Sequence, residues 1–404
     1  MANDTKKPEG PGSESGWGLD TIERCVRERV RATIEHVLEA ELLAALGAAP
    51  SARVGQVRQG YRHGTRERTL TTSVGPTAIA VPRARLFEGE ATVEWQSQAL
   101  ERYARRTARV DEALIGAYLA GTNSRRVRSA LAPLLGAGPL SKDVISRLVG
   151  RLQGDFETWR ERDLQDEQIR YLLLDGWYPK VRIGKQRVRV PVMVTLGVRA
   201  SGERIVLDLR LVGDESHAAW KDALAHLVRR GLKRPGLAII DGNAGLLRAL
   251  EEQWPGLPIQ RCTAHKLRNV QGKAPRKLKE EATEDFRRMI YVESAAAAER
   301  ARELFLKKWR LRCPAVAASV EEAGDQLWTF LRFPRSQWKA LRTTNALERI
   351  NGEFRRRTKT QASLPSQDAV LLLLFGLLRS GHVKLRRIDG WQEMWAAATG
   401  ERAA

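Results

Sequence analysis

Between residues 19 and 46 the apolar positions Ile22, Val26, Val30, Ile34, Val37 and Leu38 recur at helical spacing. That pattern predicts one amphipathic helix, whose stripe would meet either a partner surface or a second copy. An Arg-rich stretch follows, "GQVRQGYRHGTRERTLTTSVGPTAIAVPRARLF", whose β-branched runs broken by Gly and Pro predict a small strand pair. Residues 99–160 return to helical spacing. Within them, "DEALIGAYLAGTNSRRVRSALAPLLGAGPLSKDVISRLVGRL" reads as three short helices parted by a Gly-Thr-Asn-Ser break and a Gly-rich turn, with Ser141 as a candidate N-cap. Such a unit, with Arg125 and Arg126 opening its second helix, fits helix-turn-helix DNA binding and fits an ordinary three-helix packing unit equally well.

The texture changes at Tyr171. "YLLLDG" is an apolar run that ends in Asp175-Gly176, and it predicts a strand buried on both faces. "RVRVPVMVTLGVR" (187–199) and "ERIVLDLRLV" (203–212) alternate with period two and predict two further strands. A helix (217–232), a short strand "LAIIDG" (237–242), another helix and the apolar stretch "LPIQRC" complete an α/β layer with a mixed sheet. Residues 266–340 carry helix formers and no strand pattern, which predicts an all-helical insertion. "TTNALERINGEFRRRTK" then opens a new helix, and "AVLLLLFGLL" (369–378) is too short to span a bilayer and reads as a buried one. The expected organisation is a disordered tail (1–18), an N-terminal helix with an Arg-rich β segment (19–98), and a helical DNA-binding region (99–165). The α/β core follows in two parts (166–265 and 341–404), around the insertion.

Charge changes the picture. The chain of 404 residues carries 69 Lys and Arg against 48 Asp and Glu, a net +21. Clustering of the bases over 51–86 and 332–359 favours a polyanion such as nucleic acid over a merely soluble surface. Three scattered cysteines, Cys25, Cys262 and Cys313, argue for a reducing compartment, and no apolar leader opens the sequence.

The sharpest chemical signal is the repeat of one motif, "LLLDG" and "AIIDG", on two buried strands of a single α/β unit. Either Asp-Gly alone is commonly a turn. Two at neighbouring strand ends would bring Asp175 and Asp241 together. A third carboxylate from a helix would then make an oxygen site suited to Mg²⁺ or Mn²⁺. Two such ions, roughly 3.5–4 Å apart, activate a water or 3′-hydroxyl and stabilise the departing oxygen of a phosphodiester. The third acid is Glu348 or Glu353, which differ by roughly 140° around a helix. Glu348 is preferred because Asn345, Arg349 and Gly352 share its face and Arg356 extends it. "QRCTAHKLRN" sets Cys262 and His265 three apart. Zinc would need two more ligands, so His265 either contacts a phosphate, positions a carboxylate, or simply bonds to backbone.

In this order, "GYRHGTRERTLTTSVG" with "VPRAR", "LLLDGWY", "IIDGN", "RCTAHKLRNV", "FPRSQWKALRTTNALERINGEFRRRTK" and "LPSQDAVLLLL" resemble the bacterial mutator-type insertion-sequence transposases from about residue 55 to residue 380. These are DDE recombinases with a ribonuclease H-like catalytic core. The resemblance implies that Asp175, Asp241 and Glu348 bind two Mg²⁺ or Mn²⁺ ions, that His265 assists, and that Cys262 is auxiliary. It implies cleavage at terminal inverted repeats and transfer of the 3′-hydroxyl ends into target DNA, by a dimer or larger assembly at the bacterial nucleoid. Asn345, Arg349, Arg355, Arg356, Arg357 and Lys359 would hold DNA near the cut, and Arg125 and Arg126 would contact it in the helical region. His63, Trp177 and Pro179 depart from what relatives carry. A DNA-binding regulator and a nuclease without strand transfer are the alternative functions.

Overall fold

The computed structural model describes residues 19–47, 58–119, 142–183, 185–360, 364, 366–381 and 383–394. The expected disordered tail, and the segment carrying Arg125 and Arg126, lie outside the described residues. The chain divides into two compact units, one built on residues up to Ala117 and the other on residues from Ser146 onward.

In the first unit, helix α1 (Leu19–Leu46) carries its buried residues Leu38, Leu42 and Leu46 on one stripe. They pack with Leu70, Ile79, Ala84 and Leu100 around a three-stranded antiparallel sheet of β1 (Gly60–Thr72), β2 (Gly75–Glu88) and β3 (Ala91–Glu94). The expected strand pair therefore gains a third strand. Part of the Arg-rich segment is engaged internally, since Arg62 pairs with Glu39, Arg83 with Glu94, and Arg68 donates to backbone carbonyls. Arg66 and Arg85 stay exposed. Helix α2 (Ala108–Leu119) closes this part of the chain.

The second unit begins within α3 (Lys142–Glu161) and is organised by a five-stranded mixed sheet. Its strands are β4 (Ile169–Trp177), β7 (Val192–Arg199), β8 (Arg204–Leu211), β9 (Leu237–Ile240) and β10 (Ile259–Arg261), in the spatial order β10-β9-β4-β7-β8. Strand β7 runs antiparallel to β4 and β8, whereas β4, β9 and β10 are parallel. A hairpin of β5 (Lys180–Ile183) and β6 (Gln186–Arg189) stands apart as its own two-stranded sheet. The single strand expected over 187–199 is thus two. Pro191 separates them, having no N–H to give a ladder.

Helices α4 (His217–Arg229) and α5 (Ala244–Gln253) cover one face of the sheet with Trp220, Leu224, Leu227, Leu246 and Leu250, packed on Leu172, Leu174 and Ile240. On the other face Tyr171 donates to Gln337 Oε1 (2.5 Å) and meets the Phe333 ring edge-on. A sheet covered on both sides needs apolar residues at consecutive positions, which is why β4 reads as a run rather than an alternation. The same holds for β7, where Met193 and Thr195 are as buried as the valines, against the polar or small face expected from its alternation.

After β10, residues 266–340 form α6 (Thr263–Lys273), α7 (Lys279–Ile290), α8 (Ala295–Arg312), α9 (Pro314–Ala323), short 3-10 turns and α10 (Trp338–Leu341), with no strand among the described residues. Helices α11 (Asn345–Thr360) and α12 (Asp368–Arg379) return to the sheet. Val370, Leu373, Leu374 and Leu377 of α12 are buried, as its apolar run predicts.

Candidate active site

Leu174 of β4 pairs with Ile240 of β9 in parallel register, so the next residue on each chain, Asp175 and Asp241, emerges at the same edge of the sheet. Neighbouring strands lie about 4.8 Å apart, and the repeated Asp-Gly motif is thereby one local cluster. The two aspartates are not equivalent. Asp241 does end its strand, Gly242 turns at φ +105, and Asp241 Oδ1 accepts from Asn243 N (3.0 Å). Asp175, expected at the strand's end, is instead inside β4, opposite Val194 of β7, and is only 7% exposed. Strand β4 outlasts β9 because β7 continues to pair with it as far as Trp177.

The third acid comes from α11. Its buried stripe is Leu347, Ile350, Asn351, Phe354 and Thr358, which repeats at helical spacing and seats the helix on the core. Glu348 borders that stripe and reaches inward. Its Oε1 lies 2.6 Å from Arg268 Nη1 and 3.6 Å from His265 Nε2, and Oε2 accepts from Arg268 Nη2 (3.0 Å). Glu353 points elsewhere and pairs with Arg356. Asn345 and Arg349 are exposed, as are Arg355 and Arg356, while Arg357 is partly buried and Lys359 falls in the helix's last turn.

Among the described residues, Cys262 and His265 do more than start a helix. The backbone N–H of Cys262 donates to Ile240 O (2.7 Å), the last residue of β9 before Asp241. Its sulfur accepts from both the N–H and the hydroxyl of Thr344 (3.3 Å each), and the same hydroxyl lies 3.4 Å from His265 Nδ1. Thr263 adds bonds from its N–H and hydroxyl to Arg342 O. Cys262, His265 and Thr344 thus clasp the start of α11 to the end of β9, across a separation of 82 residues. This gives Thr344, just before the helix, its role, and the Thr343 hydroxyl accepts from Asn345 N (3.4 Å) at the helix start. Replacing the fully buried Thr344 by valine keeps the shape and removes the hydroxyl; it is expected to cost about 1–2 kcal/mol in urea unfolding.

Several residues at the site gave no sequence signal. Asn351, 4% exposed, donates from Nδ2 to Asp175 Oδ2 (3.2 Å), and its Oδ1 has no hydrogen-bond partner among the described residues. Glu215, between β8 and α4, bonds to the Tyr178 hydroxyl and accepts from Asn243 Nδ2 (3.3 Å). Only the i, i+3 spacing of Asn351 from Glu348 could have suggested the first. The second sits in the loop "GDESH", where an acid is unremarkable. Trp177 is buried with its ring 5.8 Å from that of Phe354, so it welds β4 to α11, while Tyr178 is half-exposed.

The electrostatics follow from this crowding. Burial pushes Asp175 up to about 7 from its ordinary 3.8; His265 opposes the rise, and the charges of Asp241, Glu215 and Glu348 add to it. Burial also raises Glu215, with Asp241 contributing. His265 is raised to about 9, chiefly by its hydrogen bond to Cys262, with help from the charges of Cys262, Asp175 and Glu348. Against the cost of burial, hydrogen bonds from His265 and Thr344 hold the Cys262 thiol below its usual range. Hard oxygen donors with mutual repulsion and a buried carbonyl oxygen to spare are the donor set a Mg²⁺-like ion requires. Among the described residues no three acidic, His or Cys side chains stand together as a finished metal site, and Glu348 pairs with Arg268 and His265.

A family model described as Transposase, Mutator family, matches residues 15–387. The chain belongs to the Mutator family of transposases. It is 35% identical over 368 residues to the transposase for insertion sequence element ISRM5 of Rhizobium meliloti (strain 1021), covering 91% of this chain and 89% of that one. The transposase for IS406 of Burkholderia multivorans is 33% identical over 353 residues, 87% of this chain and 89% of its own. The transposase for IS256 in transposon Tn4001 of Staphylococcus aureus is 27% identical over 327 residues, or 80% and 82%. The likeness to Mutator transposases therefore spans the sheet, the helices between β10 and α11, and α11 itself. No helix among the described residues is long and apolar enough to cross a membrane.

Proposed function

We propose that this Mutator-family chain cuts DNA at the terminal inverted repeats of its element and joins the freed 3′-hydroxyl ends to target DNA. Asp175, Asp241 and Glu348 hold two divalent ions in this reading. The observation that supports it is the Leu174–Ile240 register, which brings Asp175 and Asp241 to neighbouring strand positions, with Glu348 offered by α11. The strand order, with β7 antiparallel between β4 and β8 and with β9 and β10 parallel to β4, supports a ribonuclease H-like core. When bound, Mg²⁺ or Mn²⁺ activates the attacking water or 3′-hydroxyl and stabilises the leaving oxygen.

The chain's own residues prepare that chemistry. Asn351 fixes the orientation of Asp175, and the backbone N–H of Asn243 fixes Asp241. Arg268 and His265 hold Glu348 in place, and their positive charge would be available to the scissile phosphate. Arg349, Arg355 and Arg356, exposed on α11, grip the phosphate backbone beside the cut. Two ends must be paired, so the working form is a dimer or larger.

The test is a strand-transfer assay with the full-length protein, a labelled duplex carrying one inverted repeat, and a plasmid target. Joined products are expected with Mg²⁺ or Mn²⁺ and none with EDTA. Nicked but never joined ends would reduce the protein to a nuclease. Binding without any cut would make it a regulator.

A further inference from the structure

Asp175, Asp241 and Glu215 form no ion pair with any Lys, Arg or His among the described residues, although the chain carries 69 Lys and Arg. Their hydrogen bonds come from neutral groups instead. Asn351 serves Asp175, the Asn243 N–H serves Asp241, and the Tyr178 hydroxyl and Asn243 carboxamide serve Glu215. Room for Glu215 is made by the residue directly after Asp175. A Cβ on Gly176 would stand 1.7 Å from Glu215 Oε1 and 2.2 Å from its carboxyl carbon. The glycine of "LLLDG" therefore leaves room for the Glu215 carboxylate against the strand, one residue along from the first aspartate. Asn243, which N-caps α5, holds the second aspartate and Glu215 together. An independent observation that points to a cation is the Asn351 carboxamide, buried against Asp175, whose oxygen has no hydrogen-bond partner among the described residues.

We infer that Glu215 is a fourth carboxylate of the divalent-metal centre, admitted by Gly176 and oriented by Tyr178 and Asn243. The inference rests on the reading of Asp175, Asp241 and Glu348 as metal ligands. It commits the site to a hard, oxygen-preferring cation, with Glu215 on the side of the two strand aspartates and Glu348 approaching from α11.

Mn²⁺ binding to the full-length chain, followed through the electron paramagnetic resonance of the free ion, tests it without reference to activity. Glu215→Gln is expected to weaken Mn²⁺ binding by about tenfold or more. Gly176→Ala, whose added methyl pushes the same carboxylate aside, is expected to weaken it similarly. Melting of each variant in EDTA checks the fold, and should Gly176→Ala fail to fold, Glu215→Gln decides. If Asp241→Asn loses Mn²⁺ while Glu215→Gln binds like the parent chain, the inference is overturned and the three-acid reading stands. If Asp241→Asn also binds normally, the metal reading falls and takes the inference with it.

Discussion

Glu348→Gln is expected to lower single-turnover cleavage of an end-containing duplex by at least about 10³-fold, equivalent to roughly 4 kcal/mol of barrier. The substitution keeps the shape of the side chain and its hydrogen bond from Arg268, so the seating of α11 on Leu347, Ile350 and Phe354 is undisturbed. What it removes is one of the charges that would neutralise the metal ions. DNA affinity should stay near that of the parent chain, because the exposed arginines of α11 are intact. Glu353→Gln serves as the control. Among the described residues Glu353 pairs locally with Arg356, and its loss should change cleavage by no more than a few-fold. A reversal of the two results would place the third ligand on the wrong side of the helix and sink the assignment.

Asp175→Asn is expected to stabilise the metal-free protein at pH 8 by up to about 4 kcal/mol, with the gain disappearing toward pH 4. The sign follows from the direction of the shift. Burial holds the native carboxyl protonated up to about 7, while the unfolded chain releases that proton near 3.8. Between these values the native state binds more protons than the unfolded one, so stability falls as pH rises through the window. Above about 7 both states are ionised and the full cost is present. Asparagine carries no charge at any of these pH values and keeps the contact with Asn351. Saturating Mn²⁺ should invert the order, because it stabilises only the chain that binds it. Urea unfolding with EDTA or Mn²⁺ across pH 4–8 reads both effects, and parallel pH profiles for parent and variant would refute the argument.

The elements were legible where a short-range pattern was strong. The apolar runs of β4 and β9 and the run of α12 each reflect burial that recurs along the local chain, whereas β8 is buried at four consecutive positions, Val206 to Leu209, rather than in alternation. Boundaries set by other segments were not. Asp175 reads as a strand end because a glycine follows it, yet β7 carries β4 two residues further. Period-two spacing in 187–199 runs through Pro191, where the ladder breaks into two strands. The third strand of the first sheet, Ala91–Glu94, is short, wholly exposed and without any apolar run to announce it.

The same division holds at the site. Sequence alone supplied three carboxylates, the choice of Glu348 over Glu353, and a Cys-His pair with no zinc partners, because each lies in a motif a few residues long. Tertiary structure decided what those residues do to one another. The register of β4 on β9 joins two aspartates 66 positions apart. Thr344 ties Cys262 and His265 to the head of α11, and Gly176 leaves room for Glu215 against β4. Asn351 and Glu215 looked like solvated polar residues. Only the contact of Asn351 with Asp175, and of Glu215 with Asn243 and the backbone of Gly176, between segments remote along the chain, brings them to the site.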